Sequence, residues 1–71
     1  MKDPDLSPFL NKRLSLFLNN SREVVGVLKG FDAFMNATLE DAVDVSNKKS
    51  PVKLGSAVIR GVSIVSVVPK E

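Results

Sequence analysis

"RLSLFLNNSREVVGVLKGFD", residues 13 to 32, holds two apolar runs of strand period around a short polar break. In the first run Leu14, Leu16 and Leu18 share one face and Arg13, Ser15, Phe17 and Asn19 the other, which predicts a half-buried strand. "NNSR", 19 to 22, reads as a turn, and the apolar run after it as the second arm of a hairpin. Gly26 and Gly30 stand four residues apart, on the face of Val24 and Leu28. Glycines there predict sharp curvature or the close approach of another backbone.

Downstream, "MNATLEDAVDV", 35 to 45, alternates with Met35, Ala37, Leu39, Val43 and Val45 inward and Asn36, Thr38, Glu40 and Asp44 outward. Asp41 falls on the inward side, which predicts a wet edge for it. "SNKKSPVK", 46 to 53, is a basic, turn-rich loop in which Pro51 ends any ladder. Two further strands follow, "LGSAVIR" and "VSIVSVV", joined by the Arg60-Gly61 corner. Upstream, "DPDLSPFLNK", 3 to 12, offers two helix starts, Asp3 before Pro4 or Ser7 before Pro8. Either gives a short helix within about residues 4 to 12, presenting Leu6, Phe9 and Leu10. The expectation is an all-β domain spanning residues 1–71: a short N-terminal helix, then a strongly bent five-stranded antiparallel sheet rolled into a small open barrel.

A chain of 71 residues builds only a marginal core unless something else helps. Cysteine and histidine are both absent, which removes disulfides, thiolate nucleophiles, imidazole acid/base chemistry and the usual zinc ligands. No metal and no cofactor is expected, and oligomerisation is the remaining source of stability. No apolar run approaches the roughly 20 residues of a membrane span, and "MKDPDLSPF" lacks a signal-peptide apolar segment. The expectation is a soluble intracellular chain without membrane contact. Net charge is only +2, so any contact with nucleic acid must be local. Catalysis is not expected: the serines have no histidine to activate them, there is no Walker-type loop, and Glu40 and Asp44 fit an exposed strand face. A small-molecule substrate is not expected either.

The last two strands carry apolar residues on both faces, Ala57, Val58, Ile59, Ile64, Val65, Val67 and Val68, and the only charge between Lys53 and Lys70 is Arg60. Left uncovered, such strands would aggregate. Val58, Ile59, Ile64, Val65 and Val67 are therefore the expected contacts with partner strands.

"GFDAFMN", 30 to 36, interrupts the strand pattern. Phe34 falls outward at a turn. It reads either as a second-layer core residue or as a base-stacking platform beside the hydrogen-bonding edge of Asn36. Arg60, alone in an apolar run and followed by Gly61, reads either as an interface ion-pair residue or as a guanidinium that stacks on a base or contacts phosphate.

These two stretches resemble the paired signatures of the Sm family of RNA-binding proteins. The first is carried by Gly26, Leu28, Gly30, Asp32, Met35, Asn36 and Leu39, within about residues 14–45, and the second by Val58, Ile59, Arg60 and Gly61, within about 54–68. The resemblance runs from Leu6 to Val68, and the opening "PDLSPFLNKRLSLFLN" is most similar to the G-type branch of the spliceosomal members. Pro8 stands where the helix of that branch runs on, and Ala33 where it often has proline. The resemblance implies a non-catalytic subunit of a six- or seven-membered ring, closed by pairing the fourth strand of one subunit with the fifth of the next. It implies uridine-rich small nuclear RNA in the centre, other Sm subunits as partners, an E-type and a D-type neighbour, and nuclear residence after cytoplasmic assembly. Phe34 would stack on a base, Arg60 clasp it from the other side, Asn36 bond its edge, Asp32 orient the loop and Gly61 permit the tight second loop. The basic loop and the C-terminal strands also resemble the archaeal members, which form rings of identical subunits.

Overall fold

The alternating residues become strands in a computed structural model, which describes residues 6 to 70. Among these the chain forms β1 (Arg13–Leu18), β2 (Arg22–Phe31), β3 (Ala37–Asp44), β4 (Val52–Ile59) and β5 (Ile64–Pro69). All pairings are antiparallel, in the spatial order β4-β3-β2-β1-β5. Although β4 and β5 are neighbours in sequence, they form the two opposite edges. A tight 3₁₀ turn at Gly61–Ser63 carries the chain between them, and β5 pairs with β1 instead. The sheet is an open roll whose unpaired edges are β4 and β5.

Leu14, Leu16, Val24, Leu28, Ala37, Leu39 and Ala42 fill the concave side, capped by Leu6. Burying each leucine contributes about 2 kcal/mol. Phe9, Phe31, Met35, Ile59, Ile64 and Val67 pack around this centre.

Tight curvature arises where three irregularities line up across neighbouring strands. The β2–β3 register shifts between Val25 and Val27, the β3–β4 register shifts between Leu39 and Ala42, and Gly55 of β4 pairs with Ala42. Asp41 has φ 52° and Gly55 φ 70°, left-handed conformations typical of bulges that bend a sheet. Gly26 lies on the inside of the bend, where a side chain has little room. A Cβ there would lie 3.1 Å from Leu39 Cβ and 3.2 Å from the Ala42 Cα and the Glu40 carbonyl oxygen.

The bulges correct the expected facing of several residues. Beyond Asp41 the alternation is out of step, so Ala42 turns inward and Val43 pairs with Val25 on the convex side. Val43 and Val45, expected inward, instead line a groove there with Val25. A second shift between Leu28 and Gly30 places Gly30 opposite Thr38 and turns Phe31 inward, so Gly30 does not share the face of Leu28. Asp41 is exposed, as a wet edge requires. Ser15, on the convex face, is nevertheless fully buried, its hydroxyl donating to Glu23 Oε2 at 2.5 Å.

The N-terminal helix is corrected to one 3₁₀ turn, Ser7–Phe9, with Pro8 inside it. The Asp3 start lies outside the described residues. Proline tolerates only the first turn, and β2 then captures the chain: Asn11 N–H donates to the Leu28 carbonyl (2.7 Å) and Leu28 N–H to that of Lys12 (3.0 Å). Asn11, at φ 64°, makes the reversal. At the other end of β2, Arg22 Nη2 meets Asp44 Oδ2 at 2.6 Å. Hydrogen bonding by Ser46, and then Arg22, draws the Asp44 carboxyl from its ordinary 3.8 down to about 2.

Candidate functional site

The turn between β2 and β3, residues 32 to 36, is built around one carboxylate. Asp32 Oδ1 accepts the backbone N–H of Phe34 (2.9 Å) and of Asn36 (3.0 Å), and Asp32 Oδ2 accepts Asn36 Nδ2 (3.0 Å). Two main-chain bonds close the same turn, Met35 N–H to the Asp32 carbonyl and Asp32 N–H to that of Asn36. Met35 takes φ 65° to fit. The Asn36 side-chain bond first, with the N–H groups of Asn36 and Phe34, holds the Asp32 carboxyl below its ordinary range, because each favours the anion.

Asn36 also ties this turn to the other end of the chain. Its Oδ1 accepts the backbone N–H of Gly61 at 2.8 Å. The amide orientation is set from both sides, since Gly61 offers only a donor and Asp32 only acceptors. One Nδ2 hydrogen and one Oδ1 lone pair are left over for a ligand. The two turns touch so closely that a Cβ on Gly61 would sit 1.9 Å from the Phe34 carbonyl oxygen and 2.8 Å from the Met35 carbonyl carbon. Only glycine fits.

The structure therefore brings Asp32, Asn36 and Gly61 into one hydrogen-bonded unit, with Phe34 and Arg60 each next to a bonded residue. Phe34 is 77% exposed, so it is not a second-layer core residue. Arg60 is exposed, and its guanidinium has no hydrogen bond or ion pair among the described residues. An aromatic face and a free planar cation thus project from two turns that cannot move independently. Such a pair can bind a flat, electron-rich ring and an anion beside it. Among the described residues no cluster of three or more acidic side chains could hold a metal.

Val62, 83% exposed in the same turn as Arg60, escaped the sequence reading. An apolar residue between two strands looks like a continuation of either; only its turn geometry turns it outward. Of the expected interface residues, Val58 (67%) and Val65 (70%) are widely exposed on β4 and β5. Ile59, Ile64 and Val67 are half-buried against the core.

Comparison with known proteins bears on this geometry. A probable small nuclear ribonucleoprotein G from Dictyostelium discoideum is 45% identical over 69 residues, 97% of this chain and 81% of its own length. The small nuclear ribonucleoprotein G of Saccharomyces cerevisiae is 41% identical over 68 residues, 90% of this chain and 87% of its own. Among solved structures, the P. aerophilum SmAP1 heptamer superimposes with TM-score 0.86 at 30% identity, covering 93% of this chain and 88% of that one. The Sm protein of Pyrococcus abyssii in complex with a uridine heptamer gives TM-score 0.85 at 28% identity, with 92% of each chain covered. The LSM domain profile matches residues 4–69, and with these relatives and this fold the chain belongs to the LSM-domain family, the Sm and Sm-like proteins.

Proposed function

We propose that this chain is a non-catalytic ring subunit of a spliceosomal small nuclear ribonucleoprotein core, acting in pre-mRNA splicing by binding uridine-rich single-stranded RNA. One observation carries the reading. The Asn36–Gly61 bond locks together the turns that bear an exposed Phe34 and an unpaired Arg60, in a chain 41 to 45% identical to proteins named small nuclear ribonucleoprotein G.

In this reading a uracil lies between the Phe34 ring and the Arg60 guanidinium. Its edge meets the remaining polar sites of the Asn36 amide. Asp32 holds the loop without touching the base, and Gly61 lets the second loop come close enough to complete the slot. Because the slot is assembled before RNA arrives, little ordering entropy opposes binding. The exposed edges, β4 and β5, pair with other Sm subunits, Val58, Ile59, Ile64, Val65 and Val67 supplying the apolar contact. An E-type and a D-type subunit are the neighbours we assign. The core resides in the nucleus and is assembled in the cytoplasm before import.

The superposition on archaeal heptamers favours a second reading, a self-assembling ring of identical subunits in RNA processing or decay. Native mass spectrometry of the purified chain with and without an oligouridine separates the two. The spliceosomal reading expects no closed ring of this chain alone; a closed homo-oligomer that takes up the RNA favours the second. In either ring, Phe34→Ala removes a stacking contact of about 1 to 3 kcal/mol, and Arg60→Ala weakens binding further. RNA affinity and crosslinking at this subunit that survive both changes would refute the slot.

A further inference from the structure

The loop between β3 and β4 plays no part in the slot, yet it carries a distinct pattern, Lys48-Lys49-Ser50-Pro51-Val52-Lys53. We infer that Ser50 is a phosphorylation site, recognised by a serine/threonine kinase that selects proline at the next position and a cation three residues downstream.

Three observations support it. Ser50 and everything from Ser46 to Leu54 except the strand backbone is exposed, and the Ser50 hydroxyl has no hydrogen-bond partner among the described residues. Only its backbone N–H is used, donating to the Asn47 carbonyl at 3.0 Å. Second, Pro51 follows Ser50 directly, and the chain runs from it into β4 at Val52. The acceptor thus ends the Asn47–Ser50 turn, and the residues after it, a proline without an N–H and then strand, suit a kinase site that makes no hydrogen bond there. Third, the Lys53 side chain is exposed at the loop end of β4, where an acidic subsite can reach its ammonium.

The fold contains its own controls. Ser7 also precedes a proline, but it lies in the 3₁₀ turn, its carbonyl accepts Leu10 N–H, and Leu10 rather than a cation stands three residues on. Ser46 is exposed, but its hydroxyl accepts Glu23 N–H at 2.9 Å and no proline follows.

In the transfer, Ser50 Oγ loses its proton to the kinase's base and forms a bond to the γ-phosphorus of a nucleoside triphosphate. The bond to the bridging oxygen breaks and the diphosphate leaves. The phosphate brings a charge of about −1.5 to −2, enough to cancel the chain's net +2. The next residue, Pro51, lines a groove of about 470 Å³ together with Lys48, Arg13 and Lys70.

The test is to incubate the full-length chain with a proline-directed kinase of the cyclin-dependent class and magnesium ATP, then map phosphate by intact-mass and fragment mass spectrometry. One phosphate on Ser50 is expected, lost in Ser50→Ala, retained in Ser7→Ala, and added about tenfold more slowly in Lys53→Ala, the value of one charged hydrogen bond. Phosphate on Ser7 or another hydroxyl, none on the chain while a standard peptide is modified, or an undiminished rate in Lys53→Ala would overturn the assignment.

Discussion

Gly61 and Gly30 are both signature glycines, and the structure separates them. A Cβ on Gly61 would collide with the Phe34 carbonyl oxygen, whereas one on Gly30 meets nothing within 4 Å. Gly61→Ala should therefore cost about 3 kcal/mol, the upper part of the overpacking range, and Gly30→Ala should change stability by less than about 0.5 kcal/mol, both read from urea unfolding midpoints. Equal effects would mean that the two turns are not in contact. The Asp32 carboxylate gives a pH test. Its folded-state pKa lies below the ordinary 3.8, so its hold on the loop is complete above that value and is lost as pH falls through the lower one. Amide protection factors at Phe34 and Asn36, taken against the intrinsic exchange rate at each pH, should hold down to about pH 4 and fall only below it, while Asp32→Ala should remove both at neutral pH. The outward placement of Phe34 and Arg60 at turns is legible because each breaks a local pattern. The Asn36–Gly61 bond spans 25 residues, and no local pattern encodes it; before the fold was known Asn36 read only as a base-binding group.

At the scale of elements, strand identity was legible in the period of two, and facing was lost wherever a bulge reset the count. Nothing in "LEDAVD" marks Asp41 as the extra residue; its φ of 52° is a conformation that aspartate tolerates and β-branched residues do not. Val43 and Val45 therefore read as core and stand outside it. The length of the N-terminal helix failed for a related reason, since both proline starts are sound locally but the pairing of Asn11 and Lys12 with Leu28 takes the chain away after one turn. The bend has a direct test. Asp41→Gly should leave stability within about 1 kcal/mol of the parent, glycine's ease at positive φ offsetting its entropy. Asp41→Val should destabilise by about 1 to 2 kcal/mol, measured by thermal unfolding. A valine variant as stable as the parent would mean that the bulge is not where the structure places it.

For the whole molecule, the β4-β3-β2-β1-β5 order explains how so small a chain tolerates two exposed apolar edges: they point in opposite directions, so one subunit can offer β5 to the β4 of the next and a closed ring leaves no edge. The need for partners is legible in the uncharged stretch from Leu54 to Ile59 and Gly61 to Pro69; the placement of the two strands at opposite edges follows only from the family resemblance, because adjacency in sequence by itself favours a hairpin. Val65→Lys, which puts a charge on a widely exposed position of the β5 edge, should block ring assembly as seen by native mass spectrometry while leaving the fold intact by circular dichroism; full assembly would argue against β5 as an interface. Whether a uracil is held at Phe34 in an assembled ring is decided by reconstituting this chain with the other Sm subunits on a uridine-rich RNA, irradiating, and locating the crosslinked peptide by mass spectrometry. A uridine adduct within residues 32 to 36, centred on Phe34, is the predicted result. Crosslinks confined to the 46 to 53 loop, with none at Phe34, would rule out a base slot at this turn.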